Sequence, residues 1–133
     1  LILARETGLV LAGAAVSVEN LVPETCRGLP SVEVFFERLR ACDDAFAARR
    51  EAAAARGEVL RHLAVLEGGR LRVALESVGR ESPFHRLAGS DNMVAFTTRR
   101  YADTPLVIQG PGAGPEVTAA GILAGIVSMA KHL

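Results

Sequence analysis

Apolar and polar positions alternate from Arg70 to Val78, where Leu71, Val73 and Leu75 interleave with Arg70, Arg72, Ala74 and Glu76. A period of two predicts a strand with one wet face. A second apolar run, Val59 to Leu66, lies just ahead, and Glu67-Gly68-Gly69-Arg70 between the two predicts a tight hairpin turn. Further upstream the period becomes helical, with Val32, Phe35, Phe36, Leu39, Cys42 and Phe46 on one face. Ser31 can cap this helix, which is expected to run to Gly57 with a break near Cys42-Asp43. Glu33 and Glu37 near its start and Arg49, Arg50 and Arg56 near its end suit the macrodipole. The Ala52–Ala55 run forms helix readily but has little to bury, so that end is expected on the surface.

The remaining segments are shorter. Leu1 to Gly8 reads as the end of a helix stopped by glycine, so the chain is expected to be a piece of a longer protein. Val16 to Val22 has strand character and ends at Pro23. Glu81 to Asp91 reads as loop, Asn92 to Arg99 as a strand, and Arg99 to Thr104 as a turn into a strand at Leu106–Gln109. Three alternating glycines, Gly110, Gly112 and Gly114, then open a long apolar helix that reaches Ala130. Its composition predicts burial on most sides, and Gly121 and Gly125 predict close backbone packing in return for their helix-propensity cost of ~1 kcal/mol each. There is no internal repeat and no linker-like stretch. The whole, residues 1–133, is expected to be one α+β domain: an antiparallel-rich, mixed sheet packed with helices and closed by a C-terminal strand–glycine loop–helix unit.

Composition narrows the function classes. Lys and Arg (15) balance Asp and Glu (15) without a basic stripe, and there is no Trp and one Tyr, so nucleic acid is not an expected partner. The Val117–Ala130 run is shorter than the ~20 residues a bilayer needs, and no membrane association is expected. Cys26 and Cys42 lack metal-ligand spacing and read as reduced thiols of a cytoplasmic protein. His62, His85 and His132 are scattered, so no metal site is predicted. Ser82, Ser90 and Thr118 have no nucleophile elbow around them and read as capping or turn residues. Asp91-Asn92 reads first as a turn pair, with ligand contact as the sharper alternative. Arg99-Arg100 reads as solvated rather than as a phosphate site.

The glycine loop is the strongest functional signal. Strand, glycine turn and helix bring bare backbone and unpaired N–H groups up to an anionic or flat cofactor. A free-standing dinucleotide fingerprint would be followed by an acidic residue ~20 positions on, and none is present here. The loop is therefore expected to complete a cofactor site whose main part lies elsewhere. No complete general acid and base pair is visible.

Leu1-Ile-Leu-Ala-Arg5-Glu, Ser82-Pro-Phe84 through Gly89-Ser-Asp91-Asn92, and above all Pro105-Leu-Val-Ile-Gln-Gly110-Pro-Gly112-Ala-Gly114 with Val117-Thr118-Ala-Ala-Gly121 resemble the C-terminal part of homoserine dehydrogenase. Cys42-Asp43-Asp44-Ala45-Phe46-Ala47-Ala48-Arg49 and Gly57-Glu58-Val59-Leu60-Arg61 look most like the bifunctional aspartokinase–homoserine dehydrogenases. The resemblance implies an oxidoreductase that interconverts homoserine and aspartate semialdehyde with NADP or NAD, in threonine and methionine biosynthesis. It further implies a homo-oligomer, at least a dimer, acting on a small-molecule substrate. The family's catalytic Asp and Lys, its nucleotide domain and its monovalent-cation site then fall ahead of Leu1, leaving no catalytic residue in this chain and an inactive fragment. Gly114 matches the family's cofactor-contacting glycine, with Ala113 and Gly112 beside it. The alternative is a non-enzymatic dimerisation or small-metabolite-binding module on the same fold. An Asp-x-x-x-Lys just upstream of Leu1 would favour the enzyme.

Overall fold

The Gly68-Gly69 turn is built as its sequence predicts. In the computed structural model, which describes residues 1–10 and 16–132, both glycines take positive φ, 54° and 75°. That pair of left-handed residues matches the twist of a hairpin, and it joins β2 (Val59–Glu67) to β3 (Arg70–Val78) in antiparallel register from Glu67↔Arg70 to Val59↔Val78. The described residues form two compact units, Leu1–Arg80 and Glu81–Leu133, although no linker separates them in sequence.

The first unit is a three-stranded sheet, ordered β1-β3-β2, with helices. A short β1 (Val16–Val18) lies parallel to β3, with Val16 opposite Leu71. It ends sooner than the Val16–Val22 expectation because Glu19 takes over the edge. The Glu19 amide donates to Val73 O (2.8 Å), and its carboxylate accepts the Leu75 amide (2.8 Å) that a longer strand would have paired. Asn20 Oδ1 then accepts from Val22 N (3.0 Å), turning the chain away. A helix α1 (Ile2–Glu6) precedes β1 and stops before Gly8, whose φ is 85°. A 3₁₀ turn (Glu24–Cys26) follows β1.

Ser31 caps α2 (Val32–Arg40) by accepting from Val34 N (3.4 Å), and α3 (Asp43–Ala54) follows after a break at Ala41-Cys42. Asp43 and Asp44 sit in the first turn of α3, where the positive end of a helix favours them. The alanine run at the end of α3 departs from its expectation in one residue. Ala53 is 1% exposed and belongs to the small core with Ala4, Cys26, Leu71 and Val78. A methyl is enough to fill close helix–sheet packing where a larger side chain would not fit.

The second unit holds a 3₁₀ turn (Pro83–Arg86), an antiparallel pair β4 (Asp91–Phe96) and β5 (Leu106–Pro111), and α4 (Pro115–Ala130). The first of these strands stops at Phe96 rather than Arg99, since the Tyr101 amide turns back on Thr98 O (3.1 Å) and Oγ1 (3.2 Å). Two expectations for α4 fail. Its residues are exposed rather than buried, Ile122 and Leu123 at 61% each, and a Cβ at Gly121 or Gly125 would meet nothing within 4 Å. The apolar pattern is real, but the other described residues of its own unit do not cover it. The α+β class holds, with helices on mixed and antiparallel sheets.

Candidate functional site

The glycine loop leaves β5 between residues fixed by the β4–β5 ladder. Asp91 stands opposite Pro111 and Asn92 opposite Gly110. Asp91 leans back along the strand, where Gln109 Nε2 donates to its Oδ2 (2.9 Å). Asn92, opposite Gly110, reaches along the ladder to Gly112. A Cβ on Gly112 would coincide with Asn92 Nδ2 and lie 2.6 Å from its Cγ and 3.2 Å from its Cβ. A side chain at Gly112 would therefore require the Asn92 side chain to move.

Gly114 is glycine for another reason. It caps α4 with φ 131° and ψ 154°, a region that residues with a Cβ scarcely enter, and nothing lies within 4 Å of where its Cβ would be. Its carbonyl accepts the first helical bond, from Thr118 N (3.1 Å). Pro115 has no N–H, so Glu116 and Val117 carry the amides without intrahelical acceptors. Ala113 is exposed between the two glycines. The result is an open stretch of bare backbone from Gly112 to Gly114, ending on two available donors. Such a surface fits the close approach of a flat, hydrogen-bonding group. The Glu116 carboxylate in the first turn makes it a poorer seat for a phosphate.

The other residues singled out by sequence do not gather around it as a catalytic set. Ser82 Oγ accepts from Phe84 N (3.3 Å) as a turn cap, and His132 Nδ1 lies 2.8 Å from Ser128 O. His62 is exposed on β2, His85 lies in the 3₁₀ turn, and Arg99 and Arg100 are exposed. Among the described residues no group of three or more His, Cys, Asp or Glu side chains is placed to hold a metal ion. Among them, too, no helix is long and apolar enough to cross a membrane.

In the first unit, Cys26 is buried and Cys42 half-buried, both free. Burial, then the neighbouring Cys26 thiol, pushes the Cys42 thiol up, the reverse of what a reactive nucleophile needs. A cleft of about 380 Å³ runs between the exit of β1 and α3, lined by Leu21, Pro23, Cys42 and Phe46. Its two charges, Glu19 and Arg49, face each other at 3.2 Å, and the carboxamide oxygen of Asn20, which also lines it, already accepts from Val22 N. The Leu75 amide, more than any other group, holds the Glu19 carboxyl below its ordinary value, so Glu19 works as a structural clamp.

Sequence reading named Gly112, Ala113 and Gly114 and placed them in one loop. It left Asn92 as a turn residue. The signal that could have found it was the strand pairing, which puts Gly112 diagonally across from it.

A family model described as homoserine dehydrogenase matches residues 1–127. This chain belongs to the homoserine dehydrogenase family. It is 47% identical to bifunctional aspartokinase/homoserine dehydrogenase 2, chloroplastic, of Arabidopsis thaliana, over 100% of this chain and 15% of that protein. It is 39% identical to the homoserine dehydrogenase of Paracoccidioides brasiliensis, over 99% of this chain and 36% of that protein. A crystal structure of a protein of unknown function from Candida auris superposes with a TM-score of 0.86 at 38% identity, covering 98% of this chain and 37% of that one. The chain thus spans a minor part of the length of each relative, and the glycine loop lies inside the segment that matches.

Proposed function

We propose that this chain is the catalytic and dimerisation region of an NAD(P)-dependent homoserine dehydrogenase, which interconverts homoserine and aspartate semialdehyde on the route to threonine and methionine. In this reading NADP or NAD, when bound, supplies or accepts the hydride. The chain's own part is to present Gly112, Ala113 and Gly114 to the nicotinamide end while a separate domain holds the rest. The observation that carries the reading is the conformation of Gly114, glycine-only backbone with open space beside it, within a segment of this family. Its neighbour Glu116 favours an uncharged partner such as a carboxamide over a pyrophosphate. The protein acts as a homo-oligomer, at least a dimer, and is assigned to the cytoplasm; the plant relatives are named chloroplastic.

The test uses full-length enzyme. Gly114→Val is expected to weaken NAD(P)H binding and turnover well beyond Gly121→Ala, because a β-branched side chain occupies the open space and forces the wrong φ. A folded Gly114→Val enzyme with unchanged NAD(P)H affinity would remove the cofactor role from the loop.

A further inference from the structure

We propose that Asn92 is a positioning residue for the glycine loop. Its side-chain amide, packed on Gly112, sets the path by which the chain leaves β5 and so fixes where Gly114 offers its backbone. The proposal rests on the reading that this loop meets the nicotinamide cofactor.

Several features of the strand pair converge on it. Directly opposite Asn92 stands Gly110, which has no side chain to fill the face above it. The Asn92 side chain is therefore free to lean along the ladder to the diagonal position, and that position is Gly112. On the neighbouring pair the opposite lean occurs, Asp91 reaching back to Gln109. The two neighbours thus hold the end of β5 from both sides, Asp91 accepting from Gln109 within the strand and Asn92 lying against Gly112, the first residue beyond it.

Gly112 does not take a left-handed φ, so alanine could adopt its backbone without strain. A side chain there would crowd Asn92, which would have to give way. Turning the amide about χ2 would not relieve it, because Cγ itself lies 2.6 Å from the new Cβ. The whole Asn92 side chain would have to leave by rotating about χ1, and the brace would leave with it. The crowding at 112 is therefore set mainly by the Asn92 amide group, the Asn92 Cβ at 3.2 Å being a lesser contact that alanine at 92 would keep.

The experiment compares Asn92→Ala, Gly112→Ala and the double variant in a full-length homoserine dehydrogenase carrying this segment. The cofactor dissociation constant, the KM for homoserine and the melting temperature are measured for each, with Gly114→Val as reference. Asn92→Ala and Gly112→Ala are each expected to raise the cofactor dissociation constant by about tenfold, and the double variant by no more than either alone. The KM for homoserine should change far less. Additive losses would overturn the proposal, since Gly112 would then be needed for space that Asn92 does not fill. So would an Asn92→Ala enzyme with lower melting temperature and normal cofactor affinity, the mark of a purely structural residue. If Gly114→Val also leaves affinity untouched, the failure belongs to the cofactor reading of the loop, and this proposal falls with it. If Gly114→Val weakens binding and Asn92→Ala does not, the failure is that of Asn92 alone.

Discussion

At Gly114 the backbone stands at φ 131° and ψ 154°, where a Cβ would press on its own main-chain neighbours even though the space outside is empty. Gly121, seven positions on, is also free of neighbours but lies in ordinary helix. The same substitution should therefore act in opposite directions in the isolated chain. Gly114→Ala is expected to destabilise it by ~1–3 kcal/mol from strain, while Gly121→Ala should stabilise it by up to ~1 kcal/mol through helix propensity. Melting temperatures of the two variants check this, and a stabilised Gly114→Ala would contradict the backbone argument. Glu58 offers a second residue-scale test. The Ser77 hydroxyl first, then Arg56, hold its carboxyl below the ordinary value of 4.5. A depressed carboxyl contributes stability that is complete above the unfolded value and is lost as pH falls through the folded one. The contribution of this ion-paired carboxylate should therefore fade as pH falls below 4.5, and Ser77→Ala should move the Glu58 titration upward. Carbon-detected NMR titration of the carboxyl reads it directly; an unmoved Glu58 would assign the shift to Arg56 instead.

Elements were legible in the sequence where local chemistry alone decides them. The hairpin at Gly68-Gly69, the Ser31 cap and the break before Asp43 each rest on one or two residues with a fixed conformational preference. Strand ends were not legible, because the decisive partners lie far away in sequence. Glu19 ends β1 by binding Leu75, 56 residues on, and nothing about a lone glutamate after a strand announces that. This clamp also ties α3 to the sheet through Arg49. Glu19→Ala is expected to speed hydrogen exchange at the Leu75 amide while leaving the β2–β3 amides near the Gly68-Gly69 turn protected. Equal loss across the whole sheet would mean that Glu19 holds the unit together rather than one edge. The candidate site divides the same way. The glycine loop was readable from its strand–glycine–helix pattern, and Gly114 was singled out within it by the family resemblance. Asn92 was not, because its role exists only once β4 and β5 are paired.

At the scale of the whole molecule the core is small for the amount of apolar chain. Among the described residues the fully buried ones are few and mostly small, whereas Leu106, Ile108, Ile122, Leu123, Ile126 and Met129 are exposed at 42% or more. Monomeric soluble proteins rarely leave so large an apolar stretch open, and α4 is apolar around most of its circumference. The expectation of burial for that helix came from its composition, and composition is a property of the surface it meets in the finished protein. The relatives compared above are several times longer than this chain or nearly three times its length, and an apolar helix of this kind is suited to burial against a further surface. Two outcomes are expected of the purified chain. It should associate with itself, detected as species larger than a monomer by sedimentation or light scattering. It should also show no homoserine-dependent reduction of NADP, because a hydride donor has to be bound and aligned by a nucleotide domain before a loop of bare glycines can finish its site. Turnover above the blank would place both the dinucleotide fold and the catalytic groups within these 133 residues, and the assignment of the loop as one edge of a larger site would be wrong.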